Sequence, residues 1–427
     1  MPSLKPSPVQ SPKTVARDRR SSFSALGYRD FRLLWIGQLV SVTGSQMQLI
    51  AINWHVYLLT KSPLALGAVG LVRVVPIILC SLLGGLVADA FDRKRLILGA
   101  QTVMLLSAGV LAAITASGLR RVWPIYLLTA ISSAAVAFDS PARQALLPML
   151  VPADEFPNAV SLGMIALHVS MISGPALAGI ILSGLGPAIV YALNALSFLA
   201  VIVAVLLMRA SGRVDSEGSV VSRVSLGALR EGLSFVWRTP IIVQTMTLDF
   251  VATFFASATA LLPIFAAEIL HVGPRGLGLL GAAPAVGSVI AALAMARLGM
   301  LSRQGATVIG AIGVYGAATI AFGLSKVFWF SLLMLALTGA ADSISTVLRQ
   351  TIRQLVTPNH LRGRMTSVNM IFFMGGPQLG EMEAGVLAKL LGAPLSVITG
   401  GVGCLIAVVL AVRGATNLLN YRGESEK

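Results

Sequence analysis

The chain has 427 residues, of which 56% are hydrophobic and 11% charged, against roughly 25% charged in a soluble domain. Most of it therefore cannot meet water, which excludes a soluble multidomain protein. The formal net charge of +15 does not point to nucleic acid, because the cations sit at the ends of apolar runs without interleaved aromatics. Cys80 and Cys404 both fall inside apolar runs, so no disulfide framework is implied.

Residues 1–22 are rich in Pro, Ser and Lys/Arg and are not followed by a cleavable apolar core, so they read as a disordered cytoplasmic tail. Crossing a bilayer takes about 20 apolar residues in a helix. The sequence predicts twelve such spans: 33–59, 63–88, 96–117, 122–147, 158–184, 187–208, 241–269, 273–297, 305–325, 328–352, 365–391 and 394–413. The expected organisation is a six-helix bundle over 23–208, a cytoplasmic linker at 209–240, a second six-helix bundle over 241–413 and a cytoplasmic tail at 414–427. Within the linker, 225–237 places Leu226, Leu229 and Leu233 on one face and Arg230 and Glu231 on another, as expected of an amphipathic helix on a membrane surface.

Charge orients the chain. With both termini cytoplasmic, Lys61, Arg120, Arg121, Arg275, Lys326 and Lys389 are the cations left in external loops. Arg73 is assigned to a span interior, and all other Lys and Arg fall on the cytoplasmic side. An odd number of spans would destroy this asymmetry.

The halves also repeat. GPALAG (174–179) in the fifth span is echoed by GPQLGE (376–381) in the eleventh, each about twenty residues after a Pro-containing break. Gly67 and Gly70 in the second span are matched by Gly278 and Gly281 in the eighth. A duplicated unit in the same orientation is the plan of two-lobed transporters, with the substrate path between lobes. Gly174, Pro175, Gly179, Gly376 and Pro377 form a hinge and packing motif on this reading; ordinary small-residue packing is the alternative.

Between the second and third spans the sequence reads GGLVADAFDRKR (84–95). Gly85, Asp89, Arg93 and Lys94 resemble the loop signature of the major facilitator superfamily, while Ala90 and Asp92 depart from it. GPALAG resembles the fifth-span motif of that superfamily's antiporters. FRLLWIGQLVSVTGSQMQLIAINWHVYLLT (31–60), FDSPARQALLPMLVP (138–152) and RGRMTSVN (362–369) look like the branch that holds the enterobactin exporter and related bacterial efflux proteins. The resemblance runs from about residue 24 to 413. It implies an all-α fold of two pseudo-symmetric six-helix bundles in a bacterial inner membrane, acting as a monomer. The implied activity is export of a siderophore-like or drug-like molecule by alternating access, driven by proton antiport. Uptake, or lysophospholipid or lipid transport, on the same fold is the alternative. The 84–95 loop would act as a conformational switch, with Asp89 binding a helix N-terminus of the facing half in one state.

Ionisable groups at mid-span are costly and default to functional candidates. Asp249, Glu381, Arg73, Asp342 and His168 are the proton-coupling candidates, with Asp249 and Glu381 foremost and Arg73 as counter-charge; static ion pairs are the alternative. Glu383 lies about 200° round the helix from Glu381, so the two cannot face one cavity. By the resemblance, Asp249 and Asp342 face the central cavity, whereas Arg73, His168 and Glu381 sit where the lobes meet. Gln46, Asn53, Trp54, Asn369 and Phe373 are substrate-cavity candidates, with interhelical packing as the competing role. Gln38, Gln48, Phe254, Phe255 and Phe372 are weaker candidates. There is no phosphate-binding GxxxxGK[ST] loop, no metal-ligand spacing and no catalytic constellation, so neither an enzyme nor a cofactor is expected.

Overall fold

Hydrocarbon offers no hydrogen-bond partner, so each crossing must satisfy its backbone internally, and an apolar chain does this by forming helices. The computed structural model describes residues 23–210, 212, 233–256, 259–299, 303–358, 361–414 and 416–421. Twelve long helices cover most of them: α1 (Arg29–Thr60), α2 (Pro63–Ala90), α3 (Arg93–Ala116), α4 (Trp123–Leu146), α5 (Phe156–Gly184), α6 (Gly186–Leu207), α7 (Pro240–Phe255), α8 (Gly273–Leu298), α9 (Gln304–Leu324), α10 (Phe328–Val356), α11 (Arg362–Leu391) and α12 (Ala393–Gly414). Among the described residues there is no strand. Among the described residues, ten stretches are long and apolar enough to span a membrane by length and composition.

Local signals set the boundaries. Lys61 closes α1 in the left-handed region at φ 50°, and Asp92 caps α3 by accepting from the amides of Lys94 and Arg95. The seventh span departs from the single helix predicted over 241–269. Pro263 lacks an amide and crowds the preceding turn. Past Phe255 the chain re-forms through a 3₁₀ turn at Thr259–Leu261, a short helix at Leu262–Ile264 and a π turn at Phe265–Ile269. Of the surface helix predicted at 225–237, residues 225–232 lie outside the described residues, whereas 233–238 are helical.

Helix contacts repeat between halves. In the first, α1 packs on α5 and α6, α2 on α4, and α3 on α4 and α6; in the second, α7 packs on α11 and α12, α8 on α10, and α9 on α10 and α12. Each pair in one half has its counterpart in the other. The halves meet through α2 with α11 and α5 with α8. Both crossings set glycine on glycine. A Cβ on Gly179 would stand 2.7 Å from Pro274 O and 2.9 Å from Gly278 Cα. One on Gly385 would stand 2.9 Å from Gly67 Cα, and one on Gly70 2.6 Å from Gln378 O. Gly174 and Gly376 are equivalent too: the first seats against Thr43 and Gln46 of α1, the second against Phe250 and Thr253 of α7.

The apolar core is shared at one end only. Away from the termini, Ile50, Trp54, Tyr57 and Leu66 of the first half join Leu262, Phe265, Leu277 and Ala384 of the second in one cluster. At the end bearing the termini each half keeps its own: Phe31, Leu34, Ile97, Leu146 and Leu162 in one, Ile242, Met246, Ile309, Leu348 and Ile352 in the other. Two cross-half hydrogen bonds reinforce the joined end. Tyr57 Oη donates to Glu268 Oε1 at 2.7 Å, and Arg275 Nε to Ser183 Oγ at 2.9 Å.

Gly179→Val should therefore lower the thermal unfolding temperature in detergent by the equivalent of about 1–3 kcal/mol. Gly109→Val, where nothing lies within 4 Å of an added Cβ, should leave it within about 0.5 kcal/mol.

Candidate functional site

The end of α10 carries Asp342, Ser345, Thr346, Arg349 and Arg353, at spacings of 3, 4, 7 and 11 from the first, which is one face of a helix. That face meets α7. Arg349 Nη2 lies 2.7 Å from Asp249 Oδ1 and 3.8 Å from Asp342 Oδ1, and Arg353 Nη1 is 3.9 Å from Asp249 Oδ2. Arg349 also donates to Ser345 Oγ at 2.6 Å and to Thr346 Oγ1 at 2.9 Å, while Arg353 donates to Asn369 Oδ1 of α11 at 2.6 Å. Asp249, Arg349 and Arg353 are buried. The Asp342 side chain is 47% exposed.

The first half has a relative of this cluster. RQALLPMLVP (143–152) and RQTIRQLVTP (349–358) are equivalent helix ends. Arg143 pairs with Asp139 one turn back on α4, and Gln101 Nε2 of α3 donates to the same carboxylate at 3.0 Å. With its amide turned, Gln38 of α1 accepts from Arg143 as well. Where Arg143 has Asp139, Arg349 has only Ser345, and its carboxylate comes instead from the neighbouring helix α7.

These arginines correct the sequence reading. Arg349 and Arg353, counted with the cations of the cytoplasmic side, are buried inside α10, and Arg143, counted likewise, lies inside α4. Arg73 is thus not the sole cation within a helix. The 3.6-residue spacing from Asp342 was the available signal, and the cytoplasmic charge count masked it.

A cavity of about 250 Å³ lies beside the cluster, between the halves at mid-length of the helices. His168 and Met171 of α5 form its wall from the first half. Thr253, Ser288, Tyr315, Thr319, Thr338, Asp342 and Pro377 are among those of the second. Asp342 faces it as expected; Asp249 does not line it. Nor do Gln46, Asn53, Trp54 and Asn369. Gln46 packs against Gly174, Asn53 and Trp54 are buried, and Asn369 holds Arg353. Among the weaker candidates Gln48 accepts from Asn194 Nδ2 at 2.6 Å, so polar residues of α1 are spent on packing against α5 and α6. Phe254 and Phe255 meet edge to face outside the lining, and the side chains of Phe372 and Phe373 lie outside the described residues.

Glu381 sits at the α2–α11 crossing. Its Oε1 accepts from Thr259 at 3.3 Å, its Oε2 lies over Gly70, and Arg73 of the other half is the opposite charge within electrostatic reach. At the switch loop, the side-chain positions of Gly85 and Asp89 lie outside the described residues. Arg93 donates to Ala145 O at 2.9 Å and Lys94 Nζ to Met208 O at 2.8 Å. Both cations thereby close carbonyl ends of α4 and α6 in their own half.

Residues 20–421 match the model of the transmembrane secretion effector family of the major facilitator superfamily. The chain belongs to that family. It is 24% identical over 388 residues to the multidrug efflux pump Tap of Mycolicibacterium fortuitum, covering 89% of this chain and 94% of that one. It is 23% identical over 393 residues to the enterobactin exporter EntS of Citrobacter koseri, covering 92% and 93%. Among solved structures, a bacterial homologue of the human lysosomal transporter Spinster, in an inward-facing and unoccupied conformation, superposes with a TM-score of 0.74. It has 14% identity and covers 93% of this chain and 99% of that one, which is a likeness of fold. As a member of this family the protein is a multi-pass membrane transporter and not an enzyme.

Asp249→Asn would leave two buried guanidinium groups without their shared carboxylate, and should cost about 3–5 kcal/mol of stability. Asp342→Asn, at a half-exposed side chain, should cost about 1 kcal/mol or less. Thermal unfolding of both purified variants checks the contrast.

Proposed function

We propose that the protein is a secondary active exporter of a small organic molecule in the bacterial cytoplasmic membrane. It works as a monomer by alternating access, with proton antiport as its drive. The observation that carries this reading is the division of the core. The halves share apolar packing at one end, keep separate cores at the other, and enclose a cavity with an exposed carboxylate at the level between. The excess of Lys and Arg on the side of the termini supports a cytoplasmic position for both termini, and on that orientation this arrangement corresponds to closure toward the outside. The efflux proteins Tap and EntS, both matched over almost their whole length, support export over uptake.

Asp342 and Glu381 are the acids best placed to take up and release protons. One is exposed to the cavity and the other lies on the contact between halves beside Arg73. Asp249 is held by two arginines and serves as the fixed member of the cluster. His168, on the opposite wall from Asp342, is the relay candidate. One proton entering down 100 mV yields about 2.3 kcal/mol, and each pH unit adds about 1.4 kcal/mol. For an uncharged substrate a single coupled proton thus sustains a gradient on the order of a hundredfold, whereas one-for-one exchange with a monovalent cation is electroneutral and draws on the pH term alone, about tenfold per unit. Gly85, Asp89, Arg93 and Lys94 act as the switch loop, and the 174–179 and 376–381 motifs as the packing hinges.

In proteoliposomes an imposed pH gradient should drive substrate flux in the wild type. Glu381→Gln and Asp342→Asn should each abolish the response to the gradient, and flux indifferent to it in the wild type refutes antiport. A short thiol cross-linker between cysteines placed at Ser183 and Arg275, in a Cys80→Ser background, should stall transport, and reduction should restore it. Full transport in the cross-linked protein would exclude opening at that end.

A further inference from the structure

The walls of the cavity present hydrogen-bond acceptors almost without exception. A serine, threonine or tyrosine hydroxyl has one proton to donate and lone pairs to accept with, so where that proton goes decides what a ligand meets. Here it goes to the protein each time. Thr253 donates to Asp249 O at 2.8 Å, Thr319 to Tyr315 O at 2.9 Å, and Thr338 to Leu335 O at 2.7 Å. Ser288 donates to Gly339 O at 2.9 Å, Tyr315 to Ala256 O at 3.3 Å, and Thr259 to Glu381 Oε1 at 3.3 Å. All six of these residues line the cavity.

The charge on the walls has the same sense. Asp342 is the lining carboxylate, and neither Arg349 nor Arg353 lines the cavity. Arg349 is turned to Asp249, and its 3.8 Å separation from Asp342 is beyond hydrogen-bond length. The Asp342 oxygens therefore retain acceptor capacity beyond the 3.4 Å approach of Thr346 Oγ1. Tyr315 adds an aromatic ring to the wall, a surface that attracts cations. His168 contributes a buried Nδ1 without a hydrogen-bond partner. A carboxylate, an aromatic ring and a set of hydroxyl lone pairs repel anions and satisfy N–H donors.

We infer that this cavity binds an organic cation bearing N–H donors, an alkylammonium or amidinium group on a small apolar body, with Asp342 as its counter-ion. This rests on reading the cavity as the transport site and names the class of molecule it takes. Because a proton and such a cation occupy the same carboxylate, the cavity holds one or the other.

Three probes of one shape test it on the purified full-length protein near neutral pH: 4-phenylbutylammonium, its N,N,N-trimethyl analogue and 4-phenylbutanoate. Calorimetric titration should rank them ammonium first, trimethylammonium second and carboxylate last. Asp342→Asn should weaken both cations about tenfold, as loss of a partly desolvated ion pair does. Thr319→Val, removing one acceptor, should weaken the ammonium selectively. Circular dichroism melting of each variant establishes that it is folded, and Asp342→Glu should restore part of the affinity. Equal or tighter binding of the carboxylate overturns the inference, as do cation binding unchanged in folded Asp342→Asn and no cation binding at all. The exporter reading fails separately: Asp342-dependent cation binding without gradient-driven flux sinks that reading and leaves the site. Gradient-driven export of an anion indifferent to Asp342 does the reverse.

Discussion

Between helices in lipid there is no hydrophobic drive, since the tails are as apolar as leucine, and association depends on how closely two backbones can approach. Everything else about this molecule follows from two places where the approach is closest, Gly67 against Gly385 and Gly179 against Gly278. They fix where the halves touch, and hence where the shared core around Trp54, Phe265 and Leu277 forms. They also fix where the halves stay apart and where a cavity is left between them. Because the closest contacts are backbone on backbone, parting the halves there must also separate the shared core and the Tyr57–Glu268 and Arg275–Ser183 hydrogen bonds.

The duplication is close in geometry and unequal in chemistry. Arg143 and Arg349 end equivalent stretches of α4 and α10, yet the first is satisfied one turn back on its own helix and the second by Asp249 of α7. An ion pair confined to one helix moves with that helix. One spanning α7 and α10 ties two helices of the cavity together, so the second half keeps its charges aligned while its half-exposed acid, Asp342, stays available. Similarly, Gly179 and Glu381 occupy matching places in the repeated motif, which puts glycine against glycine at that point of one inter-half crossing and a carboxylate with Arg73 at the other.

Much of this was legible in the chain. Hydrophobic runs gave the twelve helices to within a few residues, and the matched glycines of the second, fifth and eighth spans proved to be the contacts between halves. The acids were visible because a carboxylate in an apolar run is conspicuous. What the runs could not show was which side of a helix end faces the protein: Arg349 and Arg353 resemble loop cations in one dimension and are buried in three. Nor could polarity alone locate the cavity. Gln46, Asn53 and Trp54 are polar or aromatic groups in a span, as cavity residues would be, but helix packing consumes them. The break in the seventh span, too, falls where the composition still read as continuous.

The polarity of α1 has a consequence for how the protein is made. It is the first span in the chain and carries Gln38, Gln46, Gln48, Asn53 and His55. Its Gln48 bonds to Asn194, Gly44 lies against Ser197, and His55 reaches Tyr191, all on α6. Those partners are translated more than a hundred residues later. The polar groups of α1 therefore gain these partners only once α6 has joined the bundle, so the first and last helices of the first half are secured together.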